Sequence, residues 1–409
     1  MPERALRGEP ARYKPPWGKE GKGLRTEMNT LELLEKLVAF DTVSRNSNLA
    51  LIAFVEEYLA RFGIPTWRID FGPDKANLLA RIGPETAGGL VLSGHTDVVP
   101  VDGQEWTSDP FALRVADGRA YGRGTADMKG FIACALAMAP WFASVDLKRP
   151  IWLALSCDEE VGCTGVRPLL KWMKANVPPV QAVFVGEPTG MEVVSAHKGI
   201  TVLRTSVTGL EAHASCTHVG VNAIHAAARL MTEIAQIAWE EQQEGAREPG
   251  FNPPWRTLSV GIVEGGIAKN IIPRSCVFEW EIRSLPGQAA EDVIARVENL
   301  AREELEPQMR QVSAAAGIST RMLADVPGLR DSSDSPAVRL ALQFTGRNAT
   351  GRAAYATEAG LFANHGMPAV VCGPGHIEQA HKPDEFVEIS QLKKCVAFLR
   401  RLGEYAEEK

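Results

Sequence analysis

Seven acidic and imidazole side chains are spaced as a site for divalent metal would need them. His95 and Asp97 lie in Leu92-Ser93-Gly94-His95-Thr96-Asp97-Val98-Val99-Pro100, and Asp127 lies in Gly122-Arg123-Gly124-Thr125-Ala126-Asp127-Met128-Lys129-Gly130. Glu159 and Glu160 are adjacent, Glu187 sits in Gly186-Glu187-Pro188, and His381 closes Ile377-Glu378-Gln379-Ala380-His381. Two divalent ions a few ångströms apart need histidine nitrogens, carboxylates, one shared carboxylate and a water between them. His95, Asp127, Glu160, Glu187 and His381 supply such a set. On a strand, positions i and i+2 share a face, so Asp97 is expected to accept the hydrogen bond of the His95 ring and fix its tautomer. Glu159 neighbours a ligand without needing to be one and is left to act as a base.

Residues so far apart in sequence meet only if the fold converges on them. Short apolar runs at 77–82, 90–93, 151–156 and 180–185 read as strands, and three of them end at His95, at Glu159-Glu160 and at Glu187. Helical spacing at 30–38, where Asn29 or Thr30 can cap the start, and at 50–62, 130–143 and 166–174 alternates with them. That alternation predicts an α/β sheet with helices on both faces, whose strand ends converge at one edge. From about Ile200 the texture changes to strand, helix, two strands, helix and strand, over 201–207, 221–237, 257–262, 277–282, 289–304 and 319–324. This is the pattern of an inserted α+β domain. After Asp331 the first pattern resumes, with apolar runs at 361–362 and 369–372 and a final helix from Gln391. The expected division is a flexible leader at 1–27, a discontinuous catalytic domain at 28–199 and 329–409, and a lid at 200–328.

Composition narrows the class of partner. Lys and Arg total 44 against 50 Asp and Glu, a net charge of −6, so no basic footprint points to nucleic acid or an anionic membrane. The expected partner is a small molecule. Seven cysteines without CxxC spacing fit a reducing, cytoplasmic compartment, with most of them buried in the core. No apolar run reaches the roughly 18 to 20 residues that span a bilayer. The leader lacks the apolar segment of a secretory signal, its four Glu residues argue against a transit peptide, and Met28 offers an alternative start.

The runs at 93–100 and 122–130, Asp158-Glu159-Glu160-Val161-Gly162, Gly186-Glu187-Pro188 and 377–381 together resemble the dinuclear zinc aminoacylase and carboxypeptidase family. Several motifs in the right order make this specific where a single HxD would not be. The resemblance implies a zinc-peptidase-like mixed sheet, with the insert serving also for dimerisation. It implies two Zn2+, for which Co2+ or Mn2+ can substitute. Asp127 would bridge them, with His95 and Glu187 on one ion and Glu160 and His381 on the other. Glu159 would be the general base, Asp97 would orient His95, and the Asp127-Met128 peptide would be cis.

The same resemblance extends to the insert. Gly209-Leu210-Glu211-Ala212-His213-Ala214-Ser215 is similar to the family motif whose histidine reaches the partner subunit's active site and helps hold the oxyanion, which implies a homodimer. Gly265-Gly266-Ile267-Ala268-Lys269-Asn270-Ile271-Ile272-Pro273 and Arg283 resemble the segment that binds the substrate carboxylate, a task suited to a guanidinium fork. Arg283 paired with Glu279 or Glu281 across the sheet is the structural alternative. Tyr355-Ala356-Thr357-Glu358-Ala359-Gly360-Leu361-Phe362 looks like the acetylornithine deacetylases, and Glu358 could pair with an ornithine δ-ammonium. The implied substrate is an N-acyl amino acid, N2-acetyl-L-ornithine first. A desuccinylase, a dipeptidase or carboxypeptidase, and a non-catalytic amino-acid-binding protein are the alternatives.

Overall fold

The computed structural model describes residues 27–332 and 334–408. The expected leader therefore lies, except for Glu27, outside the described residues. Asn29 starts the described fold: its side chain accepts from the Leu31 and Glu32 amides, while the Glu32 carboxylate takes the Asn29 amide. This reciprocal cap satisfies donors that a helix start otherwise leaves open. The helix that follows, Thr30–Val38, buries Leu33, Leu34, Leu37 and Val38 on one stripe.

The described chain divides into two units. The first runs to Val193 and resumes over 334–350 and 365–408; the second comprises Val194–Ser332 and Gly351–Asn364. Residues 351–364, which the sequence pattern groups with the first unit, cluster with the second. The reason is local: Lys198 N–H donates to the Ala353 carbonyl at 3.1 Å, and Gly360 N–H donates to His197 Nε2 at 3.2 Å. The Leu361-Phe362 run lies in the helix Ala359–Asn364.

In the first unit the sheet runs Thr66–Asp70, Ala76–Ile82, Ile151–Ser156, Gly89–His95, Val180–Pro188, Ala369–Gly373. Gly89–His95 is parallel to both Ile151–Ser156 and Val180–Pro188, with His95 opposite Ser156 and Ser93 opposite Val185. Ala369–Gly373 is parallel to Val180–Pro188, with Gly373 opposite Pro188. The parallel register carries these strands' carboxyl ends to one edge. Strands buried on both faces must be apolar throughout, as Ile151–Ser156 and Ala369–Gly373 nearly are. Helix Lys129–Ser144 lies so close that a Cβ at Gly186 would sit 2.0 Å from the Phe131 ring, so glycine is required beside Glu187. Phe184, Phe344 and Phe398 pack with ring centroids 5.5 to 6.0 Å apart, each burial contributing about 1.5 to 3 kcal/mol.

The second unit is α+β. Its antiparallel sheet runs Thr257–Gly265, Ser275–Arg283, Ile200–Thr208, Gly317–Val326. Strict alternation on Ser275–Arg283 buries Cys276, Phe278, Trp280 and Ile282. These pack with Ala227, Leu230 and Ile234 of helix Ala223–Gln243 and with Val293 and Val297 of Glu291–Asn299. Six of the seven cysteines are buried, and none of the seven is in a disulfide. No described helix is long and apolar enough to cross a membrane.

Candidate metal centre

The strand Gly89–His95 ends on His95, which is 1% exposed. Its Nδ1 lies 2.9 Å from the backbone carbonyl of Asp97, and a carbonyl can only accept, so Nδ1 carries a proton and Nε2 faces inward. Asp97 thus meets the His95 ring as expected, but through its backbone carbonyl and not its carboxylate. Its carboxylate is 3.7 Å from Nδ1, because the strand stops at His95 and the i, i+2 alternation ends with it. The Asp97 carboxylate instead accepts from Glu159 N–H at 3.1 Å, Glu160 N–H at 3.2 Å and Ser44 Oγ at 2.7 Å. It positions the acidic pair directly, and His95 through its backbone.

Asp127 follows in the turn before helix Lys129–Ser144, and the Asp127-Met128 peptide is cis. Its two oxygens face different histidines: Oδ1 lies 2.9 Å from His95 Nε2 and Oδ2 lies 3.2 Å from His381 Nε2. Glu187 Oε1 is 3.6 Å from His95 Nε2, and Glu160 Oε2 is 3.2 Å from His381 Nε2. Donor atoms of His95, Asp127 and Glu160 all lie within 4.8 Å of one another, as do those of His95, Glu159 and Glu187. The structure thus brings all five expected ligands and Glu159 together, with Glu159 on the side of His95 and Glu187. Cys163 Sγ donates to Glu159 Oε1 at 3.2 Å. Asp158, Cys163 and His381 have φ of 52°, 51° and 63°, left-handed values that Asp and His adopt more readily than most residues and that are uncommon for Cys. Backbone strain of this kind collects where side chains must be aimed.

The electrostatics of the cluster call for a cation. Burial, then the charge of Asp127, raises Glu160 to about 7 and holds Glu187 well above the usual carboxylate range. Burial opposes ionisation of Asp127 too, but hydrogen bonds from His381 and His95 overcome it and depress the carboxyl. Hydrogen bonds to Asp127 and Glu160 lift His381 to about 10. Burial alone would lower His95, yet Asp127, Glu187 and Glu159 outweigh it and raise the imidazole well above 6.5. Glu160 Oε1 is buried with no hydrogen-bond partner among the described residues. Buried carboxylates that repel one another, set beside imidazole nitrogens and with one orphaned oxygen, fit divalent metal.

The remaining candidates belong to the second unit. His213 is exposed, its Nδ1 2.7 Å from Ser215 Oγ, and it pairs with Ile271, the residue after Asn270. The Asn270 carbonyl accepts the Ala214 N–H at 3.0 Å, so the two expected motifs are neighbours. Arg283 holds Glu281 through Nε at 3.0 Å and Nη2 at 3.1 Å, the partner the structural alternative named, but along one strand and not across the sheet. Glu358 is 1% exposed. Lys198, to which the sequence assigned no role, is buried and donates to the Trp255 carbonyl at 2.5 Å; burial and then Arg283 lower it to about 8. Sequence reasoning also passed over Arg123 and Glu385, buried beside the first unit's cluster. Arg123 falls within the quoted glycine-rich run, whereas nothing around Glu385 marks it.

Residues 91–405 match the model of peptidase family M20/M25/M40. Among curated relatives, acetylornithine deacetylase of Myxococcus xanthus is 38% identical over 381 residues, covering 90% of this chain and 95% of that one. An M20 family metallo-carboxypeptidase from Sulfolobus solfataricus superposes with a TM-score of 0.73 at 17% identity, covering 92% and 99%. A dinuclear metal-binding M20 peptidase from Bacillus subtilis superposes at 0.60 with 16% identity, covering 92% and 97%.

Proposed function

The chain belongs to peptidase family M20/M25/M40 and is a hydrolase, and from that premise we propose that it removes the acetyl group of N2-acetyl-L-ornithine, giving ornithine and acetate. The observation that carries the chemistry is Asp127, whose two oxygens face two different histidines with Glu159 alongside. The relatives' activity supports the substrate. Two Zn2+ would be held by His95 and Glu187, and by Glu160 and His381, with Asp127 shared; Co2+ or Mn2+ suits the same donors. When bound, the metal pair lowers the pKa of a water and polarises the amide carbonyl.

The chain's own residues do the rest. Glu159 accepts the water's proton and returns it to the departing amine nitrogen, so that water adds across the C–N bond and a carboxylate and an amine leave. The Asp97 carboxylate fixes the backbone of both Glu159 and Glu160 while this happens. His213 of a partner subunit donates to the oxyanion. Asn270 and Arg283 take the substrate carboxylate, for which Arg283 must exchange Glu281, and Glu358 takes the δ-ammonium.

A homodimer through the second unit follows from the role of His213. The edge strand Thr257–Gly265 supports it, with Ile262 and Val263 51% and 52% exposed on a strand paired along one side. The reaction belongs to arginine biosynthesis in the cytoplasm. The test is a panel of substrates assayed after chelation and with added Zn2+. N2-acetylornithine is expected to give the highest kcat/KM, above N-acetylmethionine, N-succinyl-diaminopimelate and simple dipeptides, and only with metal. A flat or reversed ranking overturns the substrate assignment.

A further inference from the structure

His381 is the least sheltered of the proposed ligands, 52% exposed at its side chain and carried on a loop rather than a strand. Such a ligand keeps its aim only if its backbone is held. The Gln104 side-chain amide donates to the His381 carbonyl at 2.9 Å. Gln104 Oε1 in turn accepts from Arg123 Nη2 at 2.5 Å, and Arg123 Nη1 reaches the Lys382 carbonyl at 3.3 Å. Arg123 Nη1 also pairs with Glu385 Oε2 at 2.7 Å, with both side chains 1% exposed. The other oxygen of Glu385 accepts the backbone N–H groups of Ala126 at 2.9 Å and Asp127 at 3.1 Å. An unbroken chain of hydrogen bonds therefore runs from the backbone of Asp127 to the backbone of His381.

We propose that Gln104, Arg123 and Glu385 are positioning residues that clamp His381 against Asp127 and so set the affinity of the metal position shared by Asp127, Glu160 and His381. The inference rests on the two-metal reading above. Hydrogen-bonded partners behind a ligand typically change metal affinity by about 10- to 100-fold when lost. A buried charged pair is a second reason for the clamp's stiffness, since neither Arg123 nor Glu385 can turn to solvent without leaving the other charge uncompensated. The position of His95 and Glu187 takes its backbone support from the sheet instead, where His95 pairs with Ser156.

Replacing Arg123 or Glu385 can unfold the protein as well as detune it, so the test uses Gln104, which is only half-buried. Gln104→Glu keeps an acceptor for Arg123 but loses the donor to His381; Gln104→Ala loses both. Each full-length protein is stripped with chelator and titrated with Zn2+ by calorimetry, and its thermal unfolding is followed. The clamp predicts that one of two binding steps weakens about 10- to 100-fold in both variants while the other changes less than about twofold. It also predicts that the metal-free unfolding midpoint stays near wild type. Wild type binding two ions with Gln104 variants that match it, or with both steps weakened equally, overturns the clamp alone. Wild type binding fewer than two ions overturns the two-metal reading and the clamp with it.

Discussion

In the first unit, His95, Asp127 and Glu187 are 1%, 5% and 4% exposed and touch side chains from separate segments, whereas His213 and Asn270 of the second unit are exposed. Burying mutually repelling carboxylates costs stability, a cost that protonation or a bound cation offsets. Exposed polar groups on an antiparallel sheet and its loops carry no such cost. The contrast separates two jobs. On the reading proposed above, the buried groups of the first unit do the chemistry and His213 and Asn270 of the second serve recognition and assembly; Glu358, also of the second unit, is 1% exposed and falls on the buried side of the contrast.

Glu159→Gln should break the first unit's chemistry most cleanly, lowering kcat about 10³-fold while metal content stays at the wild-type value. Near-normal turnover would remove Glu159 as the base. His213→Ala tests the other side of the contrast. It should lower kcat about 10²-fold yet leave the unfolding midpoint unchanged, because the side chain is exposed. Mixed with Glu159→Gln subunits it should regain part of its activity, since the Glu159 of one subunit then meets the His213 of the other. No recovery in verified heterodimers would place the histidine's action within one subunit.

The first unit was far more legible in the sequence than the second. Apolar runs that stop at His95, Glu159-Glu160 and Glu187 announce parallel strands delivering side chains to one edge, because buried strands must be apolar and their ends must turn. Which atom of Asp97 meets His95 was not legible, since it depends on the strand ending at His95 rather than at Asp97, a boundary that hydrophobic alternation does not mark. Glu385 was invisible for a related reason. One of its oxygens bonds backbone amides of residues some 260 positions away, and amides carry no sequence signature. The strand Thr66–Asp70 and the helix Pro336–Thr345 were passed over as well. In the second unit the alternation on Ser275–Arg283 was plain, yet the pairing of Arg283 with Glu281 was one of two arrangements that pattern allowed.

The central claim is that a single carboxylate serves two metal ions in the first unit. Metal stoichiometry after chelation and reconstitution tests it directly, comparing wild type with Asp127→Ala. Two ions per chain in wild type and a loss of both tight sites in Asp127→Ala, with the variant still folded by circular dichroism, is the predicted result. A single ion in wild type, or two ions retained without Asp127, would contradict it.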